Sequence, residues 1–374
     1  DSIQFGIDDH NEVNAMDTVL FTEIGIANVP GEGDVAFRYK YIYNNISEEA
    51  YTSSRRFLSM GRKITVIGAG NVGATIAYTL SLGDLASEIV LIDINKEKVE
   101  GEVMDIVQGT SFREPISVIA GDYEDAKGSD IVIITCGIAR KPGQSRLDLA
   151  QTNVNILKSI TPEITKYAPD AMYVIVSNPV DVLTYVFTKI SGIPENRIIG
   201  SGTILDTSRL QSELAKRFHI SPKNVHAHVY GEHGDSQFVP WSLAHIANNH
   251  VDSYKDYSPD KDSINWDRNY AEIEEFVKKS GAQIIENKGA TFYAVAMSVC
   301  YICKCVLGDS NTALTVSSMM HGEYGVEDVC LSTLNLVDRN GIRGKILNKL
   351  TDEEVKKLQI SADKLKSVIA EITI

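Results

Sequence analysis

From Arg62 to about residue 204, short runs of Ile, Val and Leu alternate with helical patterns, and this alternation constrains the fold most tightly. Lys63–Ile67, Glu88–Ile92, Ser117–Ala120, Ile131–Ile134, Tyr173–Val176 and Ile198-Ile199 read as strands. Helices are expected over Val72–Leu82 and Lys96–Gln108, and near 150–167 and 180–190. Strands apolar at every position are covered on both faces, and strands separated by helices pair in parallel through crossovers. The pattern therefore predicts an α/β chain with a doubly wound parallel sheet. After residue 205 the rhythm changes to long helices near 205–218 and 265–306, with strands at Thr312–Met319 and Val329–Val337. Thr351-Asp-Glu-Glu354 is a capping box opening a last helix, with Val355, Leu358, Leu365 and Val368 available for burial. This second part reads as mixed α+β.

At roughly 150 residues per domain, 374 residues suit two domains and an appendage. The expected division is 1–59, 60–204 and 205–374. Residues 1–59 carry ten acidic and four basic side chains. Val35, Phe37, Tyr39, Tyr41 and Tyr43 recur at period two, so a hairpin with Val19–Ile26 is expected. Its tyrosines suit a half-buried strand better than a surface for stacking nucleotides. Met60 resembles a native start.

A formal charge of −14 opposes nucleic-acid binding, which needs clustered Lys and Arg. No apolar run approaches the ~20 residues of a membrane span. Asp1-Ser-Ile-Gln lacks the basic and apolar parts of a secretory signal. Five cysteines, an odd number, suit a reducing cytoplasm better than a disulfide framework. Cys300, Cys303 and Cys305 fall in the apolar run Ala294–Leu307 and read as buried small hydrophobes, with no metal expected.

Gly68-Ala-Gly70-Asn71-Val72-Gly73 follows the first strand and opens a helix. Alone, such a glycine pattern is also an ordinary turn. Here Asp93 ends the next strand 20 residues after Gly73, where a carboxylate accepts ribose hydroxyls. Strand, glycines, helix and acid in register define a Rossmann-type dinucleotide site, with the pyrophosphate at the helix N-terminus. Asp93-Ile-Asn95 offers no cation for a 2′-phosphate, which favours NAD over NADP.

Several other segments suggest chemistry only in combination. His233 lies in the glycine-flanked loop Tyr230–Ser236, and Asp206 and Arg209 share a helical face. Arg140–Arg146 is a basic, Pro/Gly-containing segment following a strand and Gly137, and Ser177-Asn178-Pro179 follows another strand. Separately these are a structural histidine, a surface ion pair, a solvated loop and a turn. Their order resembles the NAD-dependent L-lactate/malate dehydrogenase family, over about residues 61–370.

The resemblance implies that His233 is the acid–base residue, Asp206 its carboxylate partner and Arg209 the substrate-carboxylate anchor. Arg146 is implied to enter from a mobile loop, and Asn178 to bond near the reacting carbonyl and beside the cofactor. Thr291 and Arg140 are implied substrate contacts, and Asn71, Val72 and Gly137 cofactor contacts. The implied activity is reversible NADH-dependent reduction of pyruvate to L-lactate, by a dimeric or tetrameric homo-oligomer. Arg140 stands where malate dehydrogenases carry Arg and lactate dehydrogenases Gln, whereas Gly200–Thr203 and Lys288–Thr291 are more similar to the lactate branch. Gln211 replaces an Arg common in fructose-1,6-bisphosphate-activated enzymes, although His226 matches that site's His, so this activation is not expected. A noncatalytic NAD-binding regulatory protein is the competing class, but it would not need His233, Asp206, Arg209 and Arg146 together.

Overall fold

A computed structural model describes residues 61–113, 115–138, 146–257 and 270–374. The hairpin expected within residues 1–59 lies outside them, as does Arg140. Arg146 opens a helix, but its side chain is also outside the description.

Strands β1 (Lys63–Ile67), β2 (Glu88–Ile92), β3 (Ser117–Ala120), β4 (Ile131–Ile134), β5 (Met172–Ile175) and β6 (Ile198–Gly200) form the parallel part of a sheet. Helices α1 (Asn71–Leu82), α2 (Lys96–Thr110), α3 (Arg146–Tyr167) and α4 (Val180–Ile190) connect them. The spatial order β3-β2-β1-β4-β5-β6 reverses direction between β1 and β4, the crevice where doubly wound sheets bind ligands.

Alternate residues of each strand enter opposite cores. Ile64 and Val66, Ile131 and Ile133, and Met172 and Val174 pack with Ile76 and Leu80 of α1 and Val99 and Val103 of α2. Val132 and Ile134, and Tyr173 and Ile175, pack with Val154, Leu157 and Ile164 of α3 and with α4 on the other face. This two-sided burial is why the strands show no polar alternation. Predicted and observed strands differ by one residue at β5 and β6.

Beyond β6 come α5 (Ile204–Arg217) and a small antiparallel sheet of β7 (Val225–His226), β8 (His245–Ile246) and β9 (Asn249–His250). Strands of two residues carry too little pattern to read in advance. Next come α6 (Tyr270–Lys288), α7 (Tyr293–Leu307), β10 (Thr312–His321), β11 (Glu327–Asp338), β12 (Gly341–Lys345) and α8 (Asp352–Glu371). Strands β10 to β12 extend the large sheet antiparallel from β6, giving nine strands among the described residues. The single helical stretch expected near 265–306 is instead two helices. Gly289, at φ 83°, ends α6 by donating its N–H to the Ile285 carbonyl at 2.8 Å. The capping box forms as predicted, with Thr351 and Glu354 bonding reciprocally. Leu358 and Leu365 are buried, while Val355 and Val368 are half-buried. Cys300, Cys303 and Cys305 are buried in α7, and burial pushes the Cys300 thiol up to about 12. No helix among the described residues is long and apolar enough to cross a membrane.

Candidate active site

The glycine loop joins β1 to α1 at the carboxyl edge of the sheet. Gly68 takes φ 103°, and a Cβ there would stand 2.8 Å from the Cys136 nitrogen. A Cβ at Gly73 would stand 1.8 Å from the Gly68 carbonyl oxygen, so helix and turn meet backbone to backbone. A Cβ at Gly70 meets nothing within 4 Å, and Gly70 caps α1 without a side-chain bond. The open approach and the helix N-terminus behind it fit a pyrophosphate. Asn71 is exposed in the first turn and Val72 half-buried.

Asp93 lies at the end of β2. Its Oδ2 accepts from the Ala69 N–H at 2.6 Å and its Oδ1 from the Asn95 N–H at 2.9 Å. A carboxylate has about four acceptor sites, so both oxygens retain capacity for ribose hydroxyls. The nearby cation Lys96 is paired with Asp122 rather than directed to a 2′-phosphate. The loop therefore fits NAD.

The second group of residues comes from three separate elements. Asp206, in the first turn of α5, is 2% exposed; its Oδ1 accepts from Arg209 Nη1 at 2.9 Å. Its Oδ2 lies 2.5 Å from His233 Nδ1. Asp206 is the largest influence on His233, raising it to about 9 against the lowering effect of burial. Burial pulls Asp206 upward, but the charges and hydrogen bonds of His233 and Arg209 outweigh it and hold the carboxyl below its usual range. The imidazolium–carboxylate pair is thus the favoured state at neutral pH.

A cavity of about 480 Å³ lies at the second group and reaches the glycine loop at Val72. Val72, Gly137, Asn178, Asp206, Arg209, His233 and Thr291 line it. Gly68, Gly70, Asn71 and Asp93 are not among its lining residues. Asn178 is exposed, and Thr291 reaches the wall because α6 stops at Lys288. The Lys288 ammonium lies 3.8 Å from the Phe292 ring centroid across this break.

Three contributions had not been read from sequence. Lys278 and Gly281 line the cavity from α6, and a Cβ at Gly281 would lie 3.4 Å from Arg209 Nη2. Asn153 of α3 is buried; its side chain accepts from the Ile138 N–H at 2.9 Å and donates to the Asn178 carbonyl at 2.7 Å. It thereby ties the end of the Gly137 segment to the Asn178 turn. Asp181 of α4 is 2% exposed and accepts from the His233 backbone N–H at 2.7 Å. The sequence signal for Asp181 was a carboxylate inside an apolar helix; Lys278 and Gly281 had none.

A dinucleotide loop opening beside a histidine–carboxylate–arginine cluster defines an NAD-dependent oxidoreductase. Residues 62–200 match the lactate/malate dehydrogenase NAD binding domain, and residues 203–373 match that family's alpha/beta C-terminal domain. The chain belongs to the lactate/malate dehydrogenase family. An L-lactate dehydrogenase of Clostridium botulinum is 48% identical over 308 residues, 82% of this chain and 96% of the relative. L-lactate dehydrogenase 1 of Clostridium acetobutylicum is 48% identical over 312 residues, 83% of this chain and 98% of the relative. Among solved structures, the minor L-lactate dehydrogenase of Enterococcus mundtii is 36% identical at TM-score 0.80, covering 84% of this chain and all of that one. The L-lactate dehydrogenase of Clostridium thermocellum is 40% identical at TM-score 0.74, with the same coverage.

Proposed function

We propose that the chain is an L-lactate dehydrogenase, reducing pyruvate to L-lactate with NADH and catalysing the reverse reaction. The observation that carries the reading is His233 bonded to buried Asp206, with Arg209 beside it in the cavity that reaches Val72. The bound dinucleotide supplies the hydride. Arg209 holds the substrate carboxylate and so fixes the carbonyl's orientation. Protonated His233 gives its Nε2 proton to the carbonyl oxygen, while Asp206 fixes the tautomer and stabilises the imidazolium. Asn178 and Thr291 complete the substrate wall. Arg146, at the first residue of α3, stabilises charge on the oxygen.

Gly68, Gly70, Asn71, Val72, Gly73, Asp93, Gly137 and Asn178 form the proposed NAD contacts. Asp93→Ser should weaken NADH binding about 10- to 150-fold, the value of a charged hydrogen bond, and relax the bias against NADPH. Fluorescence titration with both cofactors checks this. Equal use of NADH and NADPH by the wild type would remove Asp93 from that role.

Malate dehydrogenase is the second reading, favoured by Arg140, whose cation suits oxaloacetate's second carboxylate. The 48% identity to L-lactate dehydrogenases supports pyruvate. The test is kcat/KM for pyruvate and oxaloacetate with NADH, in wild type and Arg140→Gln. Pyruvate should be preferred by the wild type. A large oxaloacetate preference reversed by Arg140→Gln would overturn the assignment.

The proposed division is a cofactor domain to residue 204 and a catalytic domain from 205, preceded by an appendage. Homo-oligomerisation is supported by the exposed Tyr293, Met297 and Tyr301 at helical spacing on α7, with Tyr78 and Leu82 exposed on α1. Five free thiols support a reducing cytoplasm. Gln211 donates to the Ala227 carbonyl at 3.2 Å and brings no cation for a bisphosphate.

A further inference from the structure

Asp181 is a carboxylate enclosed by the core. It lies in Val180–Phe187 of α4, a run buried at every position. Both oxygens are engaged by other elements: Oδ1 accepts from the Ser317 hydroxyl of β10 at 2.6 Å, and Oδ2 from the His233 N–H at 2.7 Å. The preceding residues of the histidine loop have uncharged supports. Gly231 exchanges backbone bonds with Ser332 at 2.9 and 3.0 Å, and the Glu232 N–H donates to Ser361 Oγ at 2.8 Å. Of the backbone N–H groups of Gly231, Glu232 and His233, that of His233 is the one held by a carboxylate.

That arrangement sets His233 between two buried carboxylates, Asp206 at its ring and Asp181 at its backbone. Arg209 of α5 offsets part of their charge, and Glu232 of the loop acts on Asp181. A hydroxyl or backbone carbonyl could satisfy a buried N–H at less cost than an ion. A carboxylate here makes sense if its charge acts on the imidazolium.

We infer that Asp181 is a positioning residue for the proton donor: it aims the His233 ring through the backbone N–H and favours the imidazolium with a second negative charge. The inference rests on the reading of His233 as donor. Burial raises Asp181 to about 6, against the lowering effects of Ser317 and His233. Its charge is therefore present above that pH and lost as pH falls through it. The His233 proton is retained below about 9 and lost as pH rises through it.

The test is the pH profile of kcat/KM for pyruvate with saturating NADH, in wild type, Asp181→Asn and Ser317→Ala. Asparagine keeps the shape: its oxygen can still accept from the His233 N–H, and the Ser317 hydroxyl can turn to accept from the amide. Only the charge is lost. The alkaline midpoint should fall by about one pH unit, the lower end of what a nearby opposite charge imposes. Ser317→Ala removes a bond to the carboxylate but keeps its charge, so the alkaline midpoint should stay at the wild-type value. A loss of rate in Asp181→Asn with the alkaline midpoint unmoved would mark a merely structural residue and overturn the inference. Should Asp181→Asn not fold, Asp181→Ser, whose hydroxyl oxygen can still accept a hydrogen bond without the charge, gives the same readout: an alkaline midpoint equal to the wild type's overturns the inference. A wild type with no alkaline limb, or His233→Ala with an intact chemical step, would instead remove the donor reading beneath it.

Discussion

His233→Ala is expected to slow the chemical step of pyruvate reduction by about 10²–10⁴-fold, the contribution of a positioned general acid. Hydride addition to a carbonyl leaves charge on oxygen that must be neutralised. His233 lines the cavity and is held at its ring by Asp206 and at its backbone by Asp181. Single-turnover NADH oxidation with enzyme in excess isolates that step from product release. NADH affinity should be nearly unchanged, because the glycine loop and Asp93 lie on other elements. An unaltered chemical step would exclude His233 as donor.

Arg209→Gln should reduce kcat/KM for pyruvate by about 10²–10⁴-fold, corresponding to two charged hydrogen bonds of about 1.5–3 kcal/mol each. Two losses combine. The substrate loses its bidentate anchor, and buried Asp206 loses the Nη1 donor at 2.9 Å, leaving His233 as its remaining partner in the triad. Arg209→Lys should recover only part of the rate, because an ammonium cannot form the planar fork. Steady-state kinetics with pyruvate check both variants. A change below threefold in Arg209→Gln would place the anchor elsewhere.

The sheet was legible because its strands are buried on both faces, which leaves Ile131–Ile134 with no polar residue to confuse the reading. The glycine loop was legible because its geometry tolerates almost nothing else, as the Gly73 approach to Gly68 demonstrates. His233, Asp206 and Arg209 were legible through resemblance; no local pattern says that residues 27 apart meet at 2.5 Å. Asp181 lay two residues beyond the Ser177–Pro179 turn, and its role became apparent only when α4, β10 and the histidine loop were seen together. The α6–α7 break was missed because apolar spacing continues on both sides of Gly289. The small sheet was missed because two-residue strands have no period. Lys278 and Gly281 sit on an ordinary amphipathic helix, and only its packing places them against the cavity.

The most direct test of the proposed chemistry is the pH dependence of kcat/KM for pyruvate at saturating NADH, compared between wild type and Asp206→Asn. Reduction requires the imidazolium, which Asp206 holds up to about 9, so the wild-type rate should persist through neutral pH and fall as pH rises through that value. Asp206→Asn removes the largest raising influence, so its residual rate should fall at lower pH, toward or below the ordinary histidine value of about 6.5. A wild-type rate that stays level or climbs across that interval, or an Asp206→Asn profile with the same midpoint, would contradict proton donation by the His233–Asp206 pair.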